Sequence, residues 1–147
     1  MSSILFLRPL VQSDYHKQYL QLLQMLTVLE PSKISESDFQ EFVDRLTENH
    51  QIWVMEDCIT NKIVGTVTIL IEAKLIRNFG KVCHIEDVVV DVSVRGQNIG
   101  KKLIQKACEI ALEHQCYKTI LDCEQKNDVF YEKCGFVKKG SQMALYH

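Results

Sequence analysis

The sequence lacks the segments that would assign it to several large protein classes. It has only two prolines among 147 residues and no low-complexity segment or internal repeat. No apolar run is long enough to cross a bilayer, and the beginning, MSSILFLR, reaches a charge at Arg8 too early for a secretory signal. The ending, ALYH, is neither a retention nor a peroxisomal tripeptide. We therefore expect a cytoplasmic protein with no membrane partner, with an organelle as the open alternative.

A strong net charge is also missing. Seventeen basic residues stand against nineteen acidic residues, for a formal net charge of -2. Proteins that hold nucleic acid by electrostatics usually carry a large basic excess. We therefore expect no nucleic-acid partner, although the balance is still compatible with a local anion site.

Motifs for metal binding and disulfide formation are missing as well. The six cysteines, at positions 58, 83, 108, 116, 123 and 134, form no CxxC pair, and no two histidines have zinc-finger spacing. We expect no metal site and, without a secretory signal, no disulfide framework. The cysteines are instead expected to be small buried hydrophobic residues.

The composition that is present, 46% hydrophobic and 24% charged, suits one compact α/β domain over residues 1–147. Apolar spacing and turn residues predict the order of its elements. They are a strand over 4–8, a helix from Ser13 to Glu30-Pro31, a helix over 36–48, a hairpin of strands 51–57 and 63–73, a basic loop over 74–81, a strand over 82–92, a helix over 99–114, a strand over 117–123, a helix over 127–135 and a last strand or hairpin over 136–146.

The stretch RGQNIGKK, residues 95–102, follows the most β-branched strand and begins the clearest helix. A glycine-containing turn between a strand and a helix is typical of an anion site, because the first helical N–H groups point outward. The stretch is not a P-loop, since Gly96 and Gly100 are one residue too close and Lys102 replaces the Ser or Thr. It is not a dinucleotide fingerprint either, since residue 98 is Asn. Taken alone, it could also be an ordinary helix start.

Neighbouring motifs favour the anion site. They are HIEDVVV (84–90), the loop RGQNIGK (95–101), ILDC (120–123), Asn127 and FYEKCGF (130–136). Together they resemble the GNAT superfamily of acetyl-CoA-dependent N-acetyltransferases and, within it, the glucosamine 6-phosphate N-acetyltransferases. The resemblance implies a GNAT fold, with a mixed, mostly antiparallel sheet flanked by helices. It also implies a homodimer and transfer of an acetyl group from acetyl-CoA to D-glucosamine 6-phosphate, for UDP-N-acetylglucosamine biosynthesis.

The same resemblance implies the cofactor site. The loop would hold the coenzyme A pyrophosphate, and the strand before it would pair with the pantetheine arm. Asn98 departs from the family pattern, where Gly is usual, but Asn tolerates positive φ better than most residues. The implied acetyl-CoA contacts are Val88, Val89, Val90, Arg95, Gly96, Gln97, Asn98, Ile99, Gly100, Lys101, Asn127 and Tyr131.

For the amino-sugar phosphate, the resemblance implies contacts by Thr27, Lys74, Leu75, Ile76, Arg77, Glu86, Asp87, Val88, Asp122 and Tyr146. Lys74 and Arg77 supply cations suited to a phosphate. Tyr146 stands where the family often has an Arg donated by the partner subunit, which puts that contact in doubt.

Catalysis is assigned to Tyr131, Glu86 and Asp122. An unperturbed Tyr, with a pKa of about 10, keeps its proton at neutral pH and can donate to the departing thiolate. The general base is left open among Glu86, the region of Asp122 and a water chain. A covalent route through Cys123, a GNAT enzyme for another amine such as a protein N-terminus or a polyamine, and a non-catalytic acyl-CoA-binding domain are the alternatives.

Overall fold

A five-stranded sheet with the spatial order β1-β2-β3-β4-β5 lies at the centre of the computed structural model, which describes residues 3–94 and 96–147. The strands are β1 (Leu5–Pro9), β2 (His50–Asp57), β3 (Lys62–Ala73), β4 (Lys81–Val90) and β5 (Cys116–Leu121). The pairs β1–β2, β2–β3 and β3–β4 are antiparallel, whereas the pair β4–β5 is parallel. The predicted mixed, mostly antiparallel sheet and the predicted hairpin are confirmed.

Helices cover both faces of this sheet. They are α1 (Tyr19–Leu23), α2 (Glu36–Asp44), α4 (Ile99–Glu113) and α5 (Asp128–Lys133), whereas α3 (Ile76–Phe79) is a single irregular turn in an exposed loop. One face packs on α4, whose buried Leu103, Ile104 and Ala107 meet Ile69 and Ile85 of the sheet. The opposite face packs on α1 and α2 through a second apolar cluster. The inward spacing predicted for 99–114 agrees with this burial.

The prediction of one long first helix is wrong. A 3-10 turn over Gln12–His16 and the five-residue α1 replace it, and Gln18 between them is left-handed, with φ 60°. The break is tertiary in origin. The carbonyl of Lys17 accepts a hydrogen bond from the Ile63 N–H of β3, and its ammonium pairs with Glu56 of β2. These sheet contacts turn the chain where a continuous helix would carry it past the sheet.

The prediction of a last strand over 136–146 is also wrong, since residues 136–147 contain no strand. A strand forms only where a neighbouring strand supplies ladder hydrogen bonds, and none of the five described strands pairs with that segment. The helix predicted over 36–48 ends at Asp44. Gly135, predicted to stop the last helix, has φ +96° just beyond α5, as a C-terminal glycine should.

The cysteines are not uniformly buried. Cys83 is buried and Cys108, Cys116 and Cys134 are intermediate, but Cys58 and Cys123 are exposed. The expectation of buried small residues is therefore wrong for these last two. Both lie outside the strands, Cys58 just after β2 and Cys123 just after β5.

Candidate functional site

The site forms where β4 and β5 separate. Their pairing ends with Ile85 opposite Leu121, although β4 continues to Val90. Residues 86–90 of β4 therefore pair with β3 on one side and with no strand of the described chain on the other. A register shift in the β3–β4 ladder adds one residue to β4 near Asp87, whose φ is 50°. Such a bulge bends the strand and redirects its side chains.

The anion-binding loop follows β4 directly. Gly96 has φ +92° and Asn98 has φ 58°, so the chain uses two left-handed residues before α4 begins at Ile99. The Lys102 N–H donates to the Asn98 carbonyl over 3.0 Å as an early bond of the helix. The N–H groups before it have no partner within the helix and carry the positive end of its dipole. Arg95, predicted to open this loop, lies outside the described residues.

Gly100 allows α4 to begin close to its neighbours. A Cβ built there would lie 3.1 Å from the ring of Phe130 and 3.7 Å from Val90 Cγ2. The start of α4, the end of β4 and the aromatic residues of α5 are thus brought together at the opening between β4 and β5.

Three carboxylates lie at this opening. Glu86 is partly buried on β4, Asp87 occupies the bulge, and Asp122 follows the last residue of β5. Burial is the main effect that raises the pKa of Glu86, and the charges of Asp87 and Asp122 raise it further. A carboxylate becomes a stronger proton acceptor as its pKa rises, so Glu86 is a candidate general base.

Tyr131 projects from α5 between two phenylalanines, with ring centroids 4.9 Å from Phe130 and 6.2 Å from Phe136. Burial is the main effect that raises the pKa of its phenol, and Cys123 and Cys134 add to it. The phenol therefore keeps its proton throughout the neutral range. It can act as a hydrogen-bond donor at the opening.

Cys123 has no activating partner. Its Sγ lies 3.6 Å from Asp128 Oδ1, and Asp128 is in turn paired with Lys138 at 2.6 Å. Burial and the Asp128 carboxylate both raise the pKa of the Cys123 thiol. The thiolate needed for nucleophilic attack is thus disfavoured, and no histidine in the described chain forms a hydrogen bond with this sulfur.

The two predicted phosphate-binding cations differ in their partners. Lys74 Nζ lies 3.1 Å from Glu72 Oε1 and is already neutralised. Arg77 is stacked on the ring of Tyr117, 5.0 Å from its centroid, and no carboxylate pairs with it in the part of the chain described. Arg77 therefore retains a full set of charged donors for an anion.

The loop that carries Arg77 is strained and open. Arg77, Asn78 and Phe79 are consecutive left-handed residues with φ of 57°, 55° and 61°. Leu75 and Ile76, both predicted substrate contacts, are exposed. Non-glycine residues in this region cost free energy and cluster at ligand sites, so the loop has features of a binding segment.

The other predicted contacts, Thr27, Asn127 and Tyr146, lie on three further segments of the chain. Thr27 follows α1, where its N–H donates to the Leu23 carbonyl over 3.2 Å. Asn127 precedes α5. Tyr146 is 92% exposed in the C-terminal segment, after the last helix.

Two further polar residues at the site had no predicted role. His84 lies on β4 two residues before Glu86, and its Nε2 is 2.9 Å from Glu72 Oε1 on β3. Residues two apart on a strand share a face. The sequence HIE at 84–86 was therefore sufficient to predict that His84 and Glu86 are neighbours. The contact of Glu72 with His84 could not be predicted from the sequence, because it depends on the pairing of β3 with β4.

No group of three or more His, Cys, Asp or Glu residues in the described parts of the chain is arranged to hold a metal ion. None of the helices over the same residues combines the length and apolar character required to cross a membrane.

Comparison with known proteins adds to this geometry. A family model described as "Acetyltransferase (GNAT) family" matches residues 17–136. The glucosamine 6-phosphate N-acetyltransferase of Arabidopsis thaliana is 39% identical over 149 residues, covering 99% of each chain. The enzyme of the same name from Candida albicans is 40% identical over 139 residues, covering 92% of this chain and 91% of that protein.

Solved structures of acetyltransferases also superpose on this chain. The crystal structure of the Arabidopsis thaliana enzyme superposes with a TM-score of 0.93 at 39% identity, over 97% of this chain and 98% of that one. An acetyltransferase from Trypanosoma brucei superposes with a TM-score of 0.91 at 40% identity, over 98% of this chain and 100% of that one.

Proposed function

Because the chain belongs to the acetyltransferase (GNAT) family, we propose that it transfers the acetyl group of acetyl-CoA to the amine of D-glucosamine 6-phosphate. The products are N-acetyl-D-glucosamine 6-phosphate and coenzyme A. Near full-length similarity to glucosamine 6-phosphate N-acetyltransferases supports this substrate. The observation that carries the proposal is the separation of β4 from β5 beyond Ile85 and Leu121, with three carboxylates at one end and the anion-binding loop at the other.

Acetyl-CoA suits this opening in length and in chemistry. Its pyrophosphate would lie on the N–H groups at the start of α4, from Gly96 to Lys101, with Arg95 before them. Its pantetheine amides would pair with the edge of β4 at Val88, Val89 and Val90, which β5 leaves uncovered. The thioester would then reach Tyr131, with Asn127 beside the arm.

The amino-sugar phosphate would bind on the other side of the opening. Glu86, Asp87 and Asp122 offer acceptors for the amine and hydroxyl groups, and Thr27 and the backbone near Val88 complete that set. Arg77 would take the main part of the phosphate charge, because Lys74 shares its charge with Glu72. Leu75 and Ile76 would hold Arg77 in place from the same loop.

The reaction would proceed by direct transfer. The neutral amine attacks the thioester carbonyl, the C–N bond forms, and the C–S bond breaks. Tyr131 donates a hydrogen bond to the departing thiolate, since its raised pKa keeps the phenol protonated. The raised pKa of the Cys123 thiol disfavours the thiolate that an acetyl-cysteine intermediate would require.

A homodimer is the proposed assembly. The C-terminal residues 137–147 are exposed and form no helix or strand, and β5 is an edge strand of the sheet. Exposed strand edges and exposed apolar segments are unfavourable unless another chain covers them, and a second copy offers the same pair in return. The exposed apolar residues of this segment are Val137, Met143, Leu145 and Tyr146. Tyr146 would reach a substrate phosphate only in such a dimer.

We place the whole chain, residues 1–147, in one N-acetyltransferase domain that acts in the cytoplasm. Its product would serve the biosynthesis of UDP-N-acetylglucosamine. The small formal charge of -2 supports a small-molecule substrate over nucleic acid.

An amine panel tests the function. The purified chain is given acetyl-CoA and, separately, glucosamine 6-phosphate, glucosamine, spermidine and a peptide with a free N-terminus, while release of coenzyme A is followed. We expect the largest kcat/KM with glucosamine 6-phosphate and a product heavier by one acetyl group. Faster turnover of another amine would assign a different substrate. Acetyl-CoA binding by calorimetry with no turnover of any amine would indicate a non-catalytic binding domain.

A further inference from the structure

The Glu72–His84 pair lies beside the carboxylates and takes no part in the chemistry described above. His84 Nε2 is 2.9 Å from Glu72 Oε1, and Lys74 Nζ approaches the same oxygen at 3.1 Å. When imidazole donates from one ring nitrogen to a carboxylate, its other nitrogen is an acceptor. With Nε2 held by Glu72, Nδ1 of neutral His84 is the nitrogen that can accept a proton.

His84 is placed to exchange protons with Glu86. The two residues are separated by one position on β4, so their side chains leave the same face of the strand, with Cα atoms about 7 Å apart. Ile120 of β5 lies opposite His84, and β5 continues toward Asp122 on the Glu86 side. A gap of this size is bridged by the two side chains or by one water molecule.

Charged side chains lie around His84. Glu72 of β3 contacts it, and Glu86 lies on the same strand face, with Asp87 and Asp122 beyond. Lys74 is the opposing charge, and its ammonium is held on Glu72. The His84 side chain is 28% exposed, so a proton that reaches the ring can leave to solvent.

The overall reaction releases one proton. The sugar amine enters as an ammonium, and two of its protons are lost before the amide is complete. One of them ends on the coenzyme A thiol, and the other must leave the enzyme. A partly buried base such as Glu86 can accept that proton, but it must be deprotonated again before the next turnover.

We propose that Glu72 and His84 form a proton exit relay, in which Glu86 passes the amine proton to Nδ1 of His84 and the Glu72-stabilised imidazolium releases it to solvent. His84 and Glu72 are positioning residues here, because they act through Glu86 and do not touch the substrate. This inference rests on the proposed amine acetylation and adds to it the route by which the base is regenerated.

The test compares wild type, His84→Ala and His84→Gln in kcat, in KM for both substrates and in acetyl-CoA affinity by calorimetry. We expect kcat to fall on the order of 10²-fold in both variants, while both KM values and acetyl-CoA affinity stay near wild type. Added imidazole should restore a large part of kcat to His84→Ala. Glu72→Gln should lower kcat in the same direction, without restoration by imidazole.

His16 offers a matched control. Its Nε2 lies 2.8 Å from Glu36 Oε1, in a second His–Glu pair away from β4, and His16→Ala should show wild-type kcat with and without imidazole. Full turnover in His84→Gln would overturn the relay, because Gln can still donate to Glu72 but cannot accept and pass on a proton. A loss of kcat in His84→Ala that imidazole does not reverse, in a folded variant, would also overturn it.

The relay and the proposed function can fail separately. The kcat values of wild type and variants are measured with the amine of the panel that wild type acetylates fastest. If that amine is not glucosamine 6-phosphate, the proposed substrate is wrong while the relay is still measured. If no amine is acetylated, both are wrong.

Discussion

Ile85 and Leu121 are the last residues through which β4 and β5 pair. Beyond them β4 runs on to Val90 while β5 ends, so the parallel ladder stops there. On that side, the backbone of β4 from Glu86 to Val90 has no strand partner in the described chain, and Glu86 and Asp122 directly follow the last paired residues. The proposed acetyl transfer takes place at this point.

Tyr131→Phe tests the donor to the thiolate. We expect kcat to fall about tenfold to a hundredfold, because a charged acceptor loses a hydrogen bond worth roughly 1.5–3 kcal/mol. Acetyl-CoA affinity, measured by calorimetry, should change little, since the ring and its contacts with Phe130 and Phe136 are kept. Unchanged kcat would remove Tyr131 from the chemistry.

Arg77→Ala should weaken binding of the substrate phosphate more than Lys74→Ala does. Arg77 has no carboxylate partner in the described chain, whereas Lys74 is paired with Glu72. Loss of a charged hydrogen bond of about 1.5–3 kcal/mol raises KM for glucosamine 6-phosphate by roughly ten- to a hundredfold. The control is glucosamine without its phosphate, for which Arg77→Ala should differ little from wild type. Equal effects on both sugars would disprove the phosphate assignment.

Asp122→Asn should move the acidic limb of the kcat/KM profile to lower pH. The pKa of Glu86 is raised by burial first and then by Asp87 and Asp122. Glu86 must be ionised to accept a proton, and kcat/KM reports the ionisation of the free enzyme. Removing one neighbouring negative charge makes Glu86 easier to ionise, so activity should persist further into acid. An acidic limb that does not move would show that Glu86 is not the group that titrates.

Asn98→Gly should keep or tighten acetyl-CoA binding. Asn98 has φ 58°, a conformation that glycine adopts without strain. The substitution leaves the backbone N–H in place, so the anion site is preserved. Asn98→Val is the informative contrast, because a β-branched residue at this φ is strained, and its affinity and thermal stability should both fall. Weaker binding in Asn98→Gly would mean that the Asn side chain itself contacts the cofactor.

Asp14→Asn should destabilise the fold by about 3–5 kcal/mol, the usual cost of leaving one member of a buried ion pair without its partner. Asp14 is fully buried and Arg8 contacts it at 2.7 Å while contacting Glu56 at 2.8 Å. Denaturant unfolding measures the loss. Glu41→Gln, which breaks the exposed Glu41–Arg45 pair, is the control and should cost less than about 1 kcal/mol.

The same cluster makes stability depend on pH. The pKa of Glu56 is lowered, chiefly by its hydrogen bond with Lys17 and further by Arg8. A carboxyl with a lowered pKa in the folded state stabilises the protein above its unfolded pKa, and that contribution is lost as pH falls through the folded value. Acid unfolding should therefore begin at higher pH in Lys17→Gln than in wild type.

Much of the site could be read from local patterns. The strand before the loop, the helix over 99–113 and the left-handed turn between them depend on residues close together in sequence, and the structure has them where they were expected. The pairing of His84 with Glu72 could not be read this way. It requires the register that brings β3 and β4 side by side.

The sequence by itself determined the five strands of the sheet, the helix that became α4, the loop before it and the polar residues on β4, because periodicity and turn chemistry act over a few residues. Only the tertiary structure decided that the first helix breaks at Gln18, since Lys17 is held by β2 and β3. It also decided that β5 leaves β4 after Leu121, that Glu72 meets His84, and that residues 136–147 form no strand within one chain. Each of these depends on groups distant in sequence, whose hydrogen bonds and charges outweigh the local preference of the segment.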